Sequence, residues 1–412
     1  MEKMTFFEEL VWRGLVKDRA GEDLEKVING SPITFYWGTD PTADSLHLGH
    51  YSSLVTAKRL AKYGHHPILL VGGATGLIGD PRPTAERSII AKEEVEKNIN
   101  GIRNQIDKIF DGKAELVNNY DWTKDMDLIT FLREVGKYIN VGYMLNKDII
   151  RRRLETGITF AEFTYTLMQG YDFMHLYETK NCIMQCEGSD QWGNITTGIE
   201  LINKKLGKEA YAFTMPIITD STGKKFGKSE GNALWLDKDK TSSYELYQYL
   251  INTDDSMVET YLKVFTFLTP EEIMNTVKEH NEHPELRLGQ KALAREIITD
   301  LHGKDEFEKA VKTSENLFSG NIKDIDVKDL LIGLKDVPHF KGEECTLIDL
   351  LVNNAVASSR REAREFLSSN AISINGDIVT DENMPITKDM SIDGILIIRR
   401  GKKKYYLVIL ED

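Results

Sequence analysis

The stretch Tyr36-Trp37-Gly38-Thr39-Asp40-Pro41-Thr42-Ala43-Asp44-Ser45-Leu46-His47-Leu48-Gly49-His50 decides the fold. Ile33, Phe35 and Trp37 alternate as in a strand, a Gly/Asp/Pro turn follows, and two histidines three residues apart open a helical pattern. A strand–turn–helix crossover of this kind aims polar groups at one point beyond the end of a parallel strand, and α/β sheets bind nucleotides at such points. A distant cluster, Lys225-Phe226-Gly227-Lys228-Ser229, supplies the positive charge that the point would need.

Outward from this stretch, strands and helices alternate. Leu48 to Lys62 reads as a helix stopped by Gly64, and Pro67 to Val71 as a strand buried on both faces. Glu86 to Phe110 is helical, Ala114 to Val117 a short strand, Leu128 to Tyr138 a helix, Cys182 to Cys186 a strand and Gly193 to Leu206 a helix. This alternation predicts a doubly wound, Rossmann-like parallel sheet. The residues before about 30 read as helix throughout. Beyond about residue 230 the pattern becomes helical (Tyr244 to Ile251, Met257 to Phe267, Glu271 to Glu279, Leu286 to His302), and after Thr346 it turns to two short helices and short strands. The expected domains are a catalytic α/β domain over 1–222, a lysine loop with an all-helical domain over 223–320, a linker over 321–345, and a small α+β domain over 346–412.

The 412 residues are 41% hydrophobic and 28% charged, which is globular and too long for one ordinary domain. No apolar run approaches the roughly 18 residues of a membrane span, and Met1 to Met4 lacks a signal or transit pattern. The 3 cysteines fit neither a disulfide framework nor a zinc spacing, so a reducing cytoplasm is expected. A net charge of −13 argues against a general nucleic-acid binder but leaves room for a local basic patch such as Arg399-Arg400-Gly401-Lys402-Lys403-Lys404 on a hairpin.

Five constellations carry chemistry. His47 and His50 share a helix face, with Gly49 leaving space beside them, at a helix N-terminus whose N–H groups and dipole favour phosphate. Taken alone, such a pair is as often structural. Lys225 and Lys228 suit a loop that closes over a polyphosphate, although a lysine loop by itself says little. Gly72 to Asp80 carries four glycines behind a buried strand, but no Lys-Ser/Thr follows, so it is not a P-loop; Asp80 could hold an ammonium group or a ribose. Tyr165, Gln169 and Asp172 lie on one helical face, a polar-aromatic combination that suits a pocket for a small ligand. Glu187-Gly188-Ser189-Asp190-Gln191-Trp192-Gly193-Asn194 links a strand to a helix where doubly wound sheets bind ligands, with Ser189 or Asp190 able to act as an N-cap.

His47-Leu48-Gly49-His50 resembles the HIGH signature of class I aminoacyl-tRNA synthetases, and Lys225 to Ser229 resembles their KMSKS signature. The flanking residues, Gly188 to Asn194 above all, resemble the bacterial-type tyrosyl-tRNA synthetases, and Thr346 to Leu410 looks like their S4-type RNA-binding domain. The resemblance implies activation of L-tyrosine by ATP to tyrosyl-adenylate, then transfer to the 3′ end of tRNA(Tyr), without a covalent enzyme intermediate. It implies phosphate roles for Thr42, His47, Lys225, Lys228 and Arg87 and places His50 on the adenosine side, with Gly38, Asp40, Gly49 and Asp190 also lining the ATP site. It places Tyr36 and Asp172 at the phenol, Asp80, Tyr165 and Gln169 at the α-amino group, and Gln191 near the carboxylate. Arg360, Arg361, Arg364, Arg399, Arg400, Lys402 and Lys403 would meet tRNA, with a weaker suggestion of an acceptor-arm role for Arg151 to Arg153. Mg²⁺ would arrive with ATP, no protein-built metal site is expected, and Gly157 to Phe160 resembles a subunit-contact segment of a homodimer.

Trp37, Glu187 and the short Arg82 to Arg87 segment depart from the family pattern. The alternatives are a tryptophanyl-tRNA synthetase, a non-catalytic RNA-binding paralogue, and a small-molecule nucleotidyltransferase. Asp172 with Tyr36 favours a phenol over an indole, and the intact histidine and lysine pairs favour an active enzyme.

Overall fold

A computed structural model describes residues 4–81, 90–229, 232–319, 322, 325–334, 337–401 and 404–410. The chain forms two compact units, one comprising Met1–Thr241 and Ile251–Leu301, the other Ser242–Leu250 and His302–Asp412.

The first unit is built on a six-stranded sheet: β1 (Arg19–Ala20), β2 (Thr34–Thr39), β3 (His66–Val71), β4 (Glu115–Asn118), β5 (Cys182–Gly188) and β6 (Tyr211–Met215), in the order β1-β6-β5-β2-β3-β4. All neighbours are parallel except β1, which pairs antiparallel with β6 through Arg19↔Phe213 and Ala20↔Ala212. The first central strands are the apolar runs expected, since a parallel sheet covered on both faces has no polar side to expose. The chain runs β2 to β3 to β4 in one direction and then crosses back to β5 on the other side of β2. The crevice between β2 and β5 is therefore the topological switch point.

The helix Leu48–Tyr63 follows β2 and ends at Gly64, whose φ of 124° no L side chain adopts comfortably. The N-terminal segment departs from the expected continuous helix. It contains Phe6–Trp12 and Leu24–Asn29 with β1 between them. A two-residue strand has no period to read, and only its pairing with β6, almost two hundred residues away along the chain, defines it. Residues 72–80, expected as loop, include one helical turn at Thr75–Ile78.

The helices expected as a separate all-helical domain are divided between the units. Asp255–Phe265, Pro270–Glu282 and Leu288 to Leu301 belong with the sheet, and Lys304–Ser319 with the C-terminal part. The stretch expected as a linker carries a helix, Val327–Gly333, and a strand, His339–Gly342. That strand pairs in parallel with Lys404–Leu410, so its structure depends on residues more than sixty positions later. The C-terminal sheet continues through Ile395–Arg400, Ile372–Ile374 and Asp377–Ile378. Helices Leu347–Asn353 and Arg360–Ser368 bury Leu350, Leu351, Ala363 and Leu367 against Ile372, Leu396, Ile398 and Val408.

Candidate functional site

The site lies at the C-terminal ends of β2 and β5. Tyr36 is paired with Gln185, so Tyr36 and Gly38 on β2 share a sheet face with Gln185 and Glu187 on β5. This face meets the helix Phe160–Lys180, where the Tyr36 and Phe173 rings lie 5.4 Å apart. Asp172 on that helix is 2% exposed. Its Oδ2 accepts from Asn119 Nδ2 at 2.9 Å and its Oδ1 from Trp122 Nε1 at 2.8 Å. Burial pushes the carboxyl up to about 7, against the two donors that favour its ionised form, with the Asp40 charge adding to the rise. Each oxygen retains a lone pair for one more donor.

Two neighbouring polar atoms are buried without a partner among the described residues, Tyr36 Oη and Gln169 Oε1, while the Gln185 side chain interacts with Glu187. A buried polar group left unpaired costs about 1–3 kcal/mol. Two such atoms, beside a carboxyl with spare acceptor capacity, make a pocket that a polar ligand completes.

Two further networks adjoin it. Tyr165 Oη donates to Asp40 Oδ2 at 2.9 Å, and Thr75 Oγ1 to Asp40 Oδ1 at 2.7 Å. Asp80 accepts from Gln191 Nε2 and Asn194 Nδ2, each at 3.1 Å, and Asn194 Nδ2 also reaches Gln191 Oε1 at 3.0 Å. Asp190 accepts from Gln191 Nε2 at 3.3 Å. The following helix, Trp192–Leu206, is capped at Gln191 with no side-chain cap, so neither Ser189 nor Asp190 is its N-cap.

Trp37 and Glu187 each have a local role. Trp37 is buried on the sheet face opposite Tyr36, where its ring edge meets His50 at 6.5 Å. Glu187 accepts from the Gly38 N–H, and burial holds its carboxyl well above the usual range.

The histidine helix starts at His47, its N-cap. Its first N–H groups are all taken: Leu48 N–H donates to Leu234 O at 2.7 Å, Gly49 N–H to His47 Nδ1 at 3.1 Å and His50 N–H to His47 O at 2.8 Å. The expectation of free backbone donors for phosphate is therefore corrected, because the protein itself occupies them. The imidazoles remain. His47 N–H donates to His50 Nδ1 at 3.3 Å, so in both rings Nδ1 is the acceptor and Nε2 carries the proton. The rings stack 3.8 Å apart. Burial lowers both pKa values, that of His50 to about 3, and the Lys228 and Lys225 charges further lower His47. Both rings are neutral N–H donors at pH 7.

Lys225 and Lys228 are exposed, while Phe226 between them is buried. Gly227 has φ +83°, and a Cβ there would lie 2.8 Å from Gly49 N; a Cβ at Gly49 would lie 2.8 Å from the His47 ring. Glycine at both positions lets the lysine loop seat on the helix N-terminus. Thr42 is exposed beyond the turn, its N–H donating to Asp40 O at 2.8 Å. Arg87 and Arg82 lie outside the described residues.

Comparison with known families follows this geometry. Residues 29–319 match the class I tRNA synthetases of the W and Y type, and residues 329–408 match the SYY-like C-terminal domain of tyrosine–tRNA ligases. The chain is 49% identical to a tyrosine–tRNA ligase of Streptococcus agalactiae and 47% identical to one of Geobacillus stearothermophilus, in each case over 98% of this chain and 99% of the relative. The chain belongs to the tyrosine–tRNA ligase family. Among solved structures, a C-terminally truncated mitochondrial tyrosyl-tRNA synthetase of Aspergillus nidulans is 34% identical and aligns with a TM-score of 0.69, covering 77% of this chain and 95% of that one.

For a tyrosine–tRNA ligase, the residues read from sequence that converge at the crevice are Tyr36, Gly38, Asp40, Asp80, Tyr165, Gln169, Asp172, Asp190 and Gln191, and His47, Gly49 and His50 form one cluster with the lysine loop. Asn119, Trp122, Gln185 and Asn194 were not singled out from sequence. The signal available for Asn119 and Trp122 was their place just past the C-terminal end of β4, on the ligand-binding edge of the sheet. In the C-terminal unit, Arg360 pairs with Asp349, Arg361 with Glu365 and Arg364 with Glu382. Arg400 donates to Val356 O and lies over the Phe366 and Tyr406 rings, which ties it to the local packing. Arg399 lies within the strand Ile395–Arg400, opposite Tyr405, and Lys402 and Lys403 lie outside the described residues. Arg153 is buried in an ion pair with Glu162, so of the arginine triplet it is the one withdrawn from any acceptor-arm contact.

Proposed function

We propose that this ligase makes tyrosyl-adenylate in the crevice between β2 and β5 and then passes tyrosine to tRNA(Tyr). The observation that carries the reading is the pair of unpartnered buried atoms, Tyr36 Oη and Gln169 Oε1, beside Asp172. The substrate phenol would donate to a free lone pair of Asp172 and accept from Tyr36 Oη. Phenylalanine would leave Tyr36 Oη buried and unpaired and would give Asp172 no donor beyond Asn119 and Trp122, and that penalty is the physical basis of selectivity. An α-ammonium has three donors, and Asp80, Gln169 Oε1 and Tyr165 Oη supply three acceptors. Gln191 would stand at the carboxylate.

A tyrosine carboxylate oxygen then forms a bond to the α-phosphorus of ATP while the bond to pyrophosphate breaks. Charge accumulates on the leaving pyrophosphate, and His47, His50, Lys225 and Lys228 would offer it two neutral N–H donors and two ammonium groups. Thr42, on the exposed turn, and Arg87 complete the proposed phosphate contacts. Asp190, Gly38, Asp40 and Gly49 would line the nucleotide. Among the described residues no group of three potential metal ligands comes together, and Asp40 is engaged by Tyr165 and Thr75. Mg²⁺ would arrive with ATP and neutralise phosphate charge there. In the second step a terminal ribose hydroxyl of tRNA attacks the tyrosyl carbonyl and AMP leaves.

The exposed basic residues of the C-terminal unit would contact tRNA phosphates, Arg361 foremost because its side chain is 90% exposed and its pairing with Glu365 is loose at 3.4 Å. A homodimer would cover apolar side chains that are exposed in the single chain, among them Leu128, Ile129, Leu132, Val141, Leu154 and Phe160. No helix among the described residues is long and apolar enough to cross a membrane, and the free cysteines Cys182, Cys186 and Cys345 accord with a cytoplasmic setting.

Tyrosine-dependent ATP–pyrophosphate exchange on Asp172→Asn tests the pocket. An amide must turn its NH₂ toward Asn119 Nδ2 or Trp122 Nε1, both donors, so exchange with tyrosine is expected to fall by roughly 10–100-fold. Wild-type exchange and selectivity in this variant would refute the assignment.

A further inference from the structure

The lysine loop and the histidine helix are joined by a column of aromatic rings. Phe226, between the two lysines, is 3% exposed and stacks on Phe265 with ring centroids 4.4 Å apart and planes 23° apart. It also meets the Tyr261 ring, which is tilted 64° to it, with centroids 4.7 Å apart. Phe265 in turn lies parallel to Tyr51, at 6.1 Å and 11°. Tyr51 is the residue after His50, so the column begins between the two lysines and ends beside the two histidines.

The middle of the column is fixed independently. Tyr261 and Phe265 stand one turn apart on the helix Asp255–Phe265. The carbonyls at and beyond its C-terminal end receive two buried guanidinium groups: Arg59 donates to Val264 O and Thr266 O, and Arg13 to Lys263 O, Thr266 O and Leu268 O. Arg59 lies on the histidine helix itself. Tyr261 Oη donates to Thr219 O at 2.9 Å, next to the strand that enters the loop. Tyr51 Oη is held by Asp300 at 2.8 Å, and Lys58 grips the same carboxylate at 2.6 Å.

We infer that Phe226 and Phe265 are positioning residues of the activation step: their stack sets where the Lys225 and Lys228 ammonium groups stand relative to His47 and His50. This rests on the proposed phosphate role of the lysines. A flexible lysine on an exposed loop contributes to a transition state only if its backbone is placed, and displacements of about 1 Å in such groups change rates strongly. Backbone bonds from Phe226 N–H to Ile218 O and from Leu234 N–H to Gly227 O hold the main chain between the lysines. The Phe226 ring anchors that same segment to the aromatic column. Neither ring is placed in contact with substrate, so their action is through the lysines.

The test is Phe226→Leu, with Phe265→Leu as a second entry into the same stack. Each is compared with Lys228→Ala and with the double variant in ATP–pyrophosphate exchange, in direct tyrosine binding and in thermal melting. The expected result is an unchanged tyrosine Kd, a fall in exchange kcat of about tenfold or more, and a Lys228→Ala penalty that is smaller in the Phe226→Leu background than in wild type. Phe226→Leu or Phe265→Leu proteins that melt earlier but exchange at the wild-type rate, or penalties that simply multiply, would overturn the inference. Lys228→Ala with undiminished exchange would instead refute the phosphate role of the loop, whatever the stack does.

Discussion

Asp172 is a buried carboxyl with a donor on each oxygen, and its ionisation depends on what else enters the pocket. Its folded pKa of about 7 lies above the roughly 3.9 of an unfolded aspartate. Between those values the free native protein holds a proton that the unfolded chain has lost. This group therefore lowers stability progressively as pH rises from about 4 to about 7, and the deficit is full above that. Asp172→Asn removes the term. The melting temperature of the ligand-free variant, relative to wild type, is expected to rise from pH 5 to pH 8, and a pH-independent difference would contradict the carboxyl's raised pKa. A phenol donating to Asp172 favours the ionised form, so tyrosine affinity of the wild type should increase between pH 6 and pH 8 in a direct binding titration. The same titration of Asp172→Asn should be flat over that range. His50, lowered to about 3, stays neutral in the native protein over the binding window, and its contribution to stability is common to wild type and variant.

At the scale of elements, the N-terminus of the helix Leu48–Tyr63 is completed by the protein and not by ligand. The segment around Leu234 to Leu236 pairs with Leu46 to Leu48, which places the lysine hairpin directly over the first turn. Gly227 is the point of contact. Gly227→Ala combines a left-handed φ with a Cβ 2.8 Å from Gly49 N, a strain of about 1–2 kcal/mol that the loop relieves by lifting away from the helix. Exchange kcat is expected to drop by about tenfold with tyrosine Kd unchanged, measured on the same preparation; an unaffected kcat would show that the seat is not needed for activation. The motif His47 to His50 was legible from sequence because cap, spacing and glycine all lie within a few residues. The occupation of its N–H groups was not, because the acceptor Leu234 O is nearly two hundred residues downstream.

For the whole molecule, the proposed homodimer can be tested at Phe160. Phe160 opens its helix at 74% exposure, near in sequence to a buried Arg153–Glu162 pair whose oxygens and nitrogens lie 2.6–2.8 Å apart. In the proposed homodimer this exposed aromatic would be covered by the partner subunit. Phe160→Asp would place a charge in that contact and is expected to give monomers in sedimentation equilibrium, with the secondary structure of the wild type retained. A dimer of undiminished affinity would exclude this face.

Local pattern by itself determined the parallel α/β sheet, the histidine and lysine pairs and the shared helical face of Tyr165, Gln169 and Asp172, because strand alternation, buried apolar runs and helical spacing are properties of neighbouring residues. Tertiary structure alone decided β1, the strand His339–Gly342 inside the expected linker, the donors Asn119 and Trp122 on Asp172, and the ring column under the lysine loop. Each of these is a pairing between segments far apart in the chain. Their partners are chosen by burial and hydrogen-bond satisfaction in three dimensions, and no periodicity along one segment encodes them.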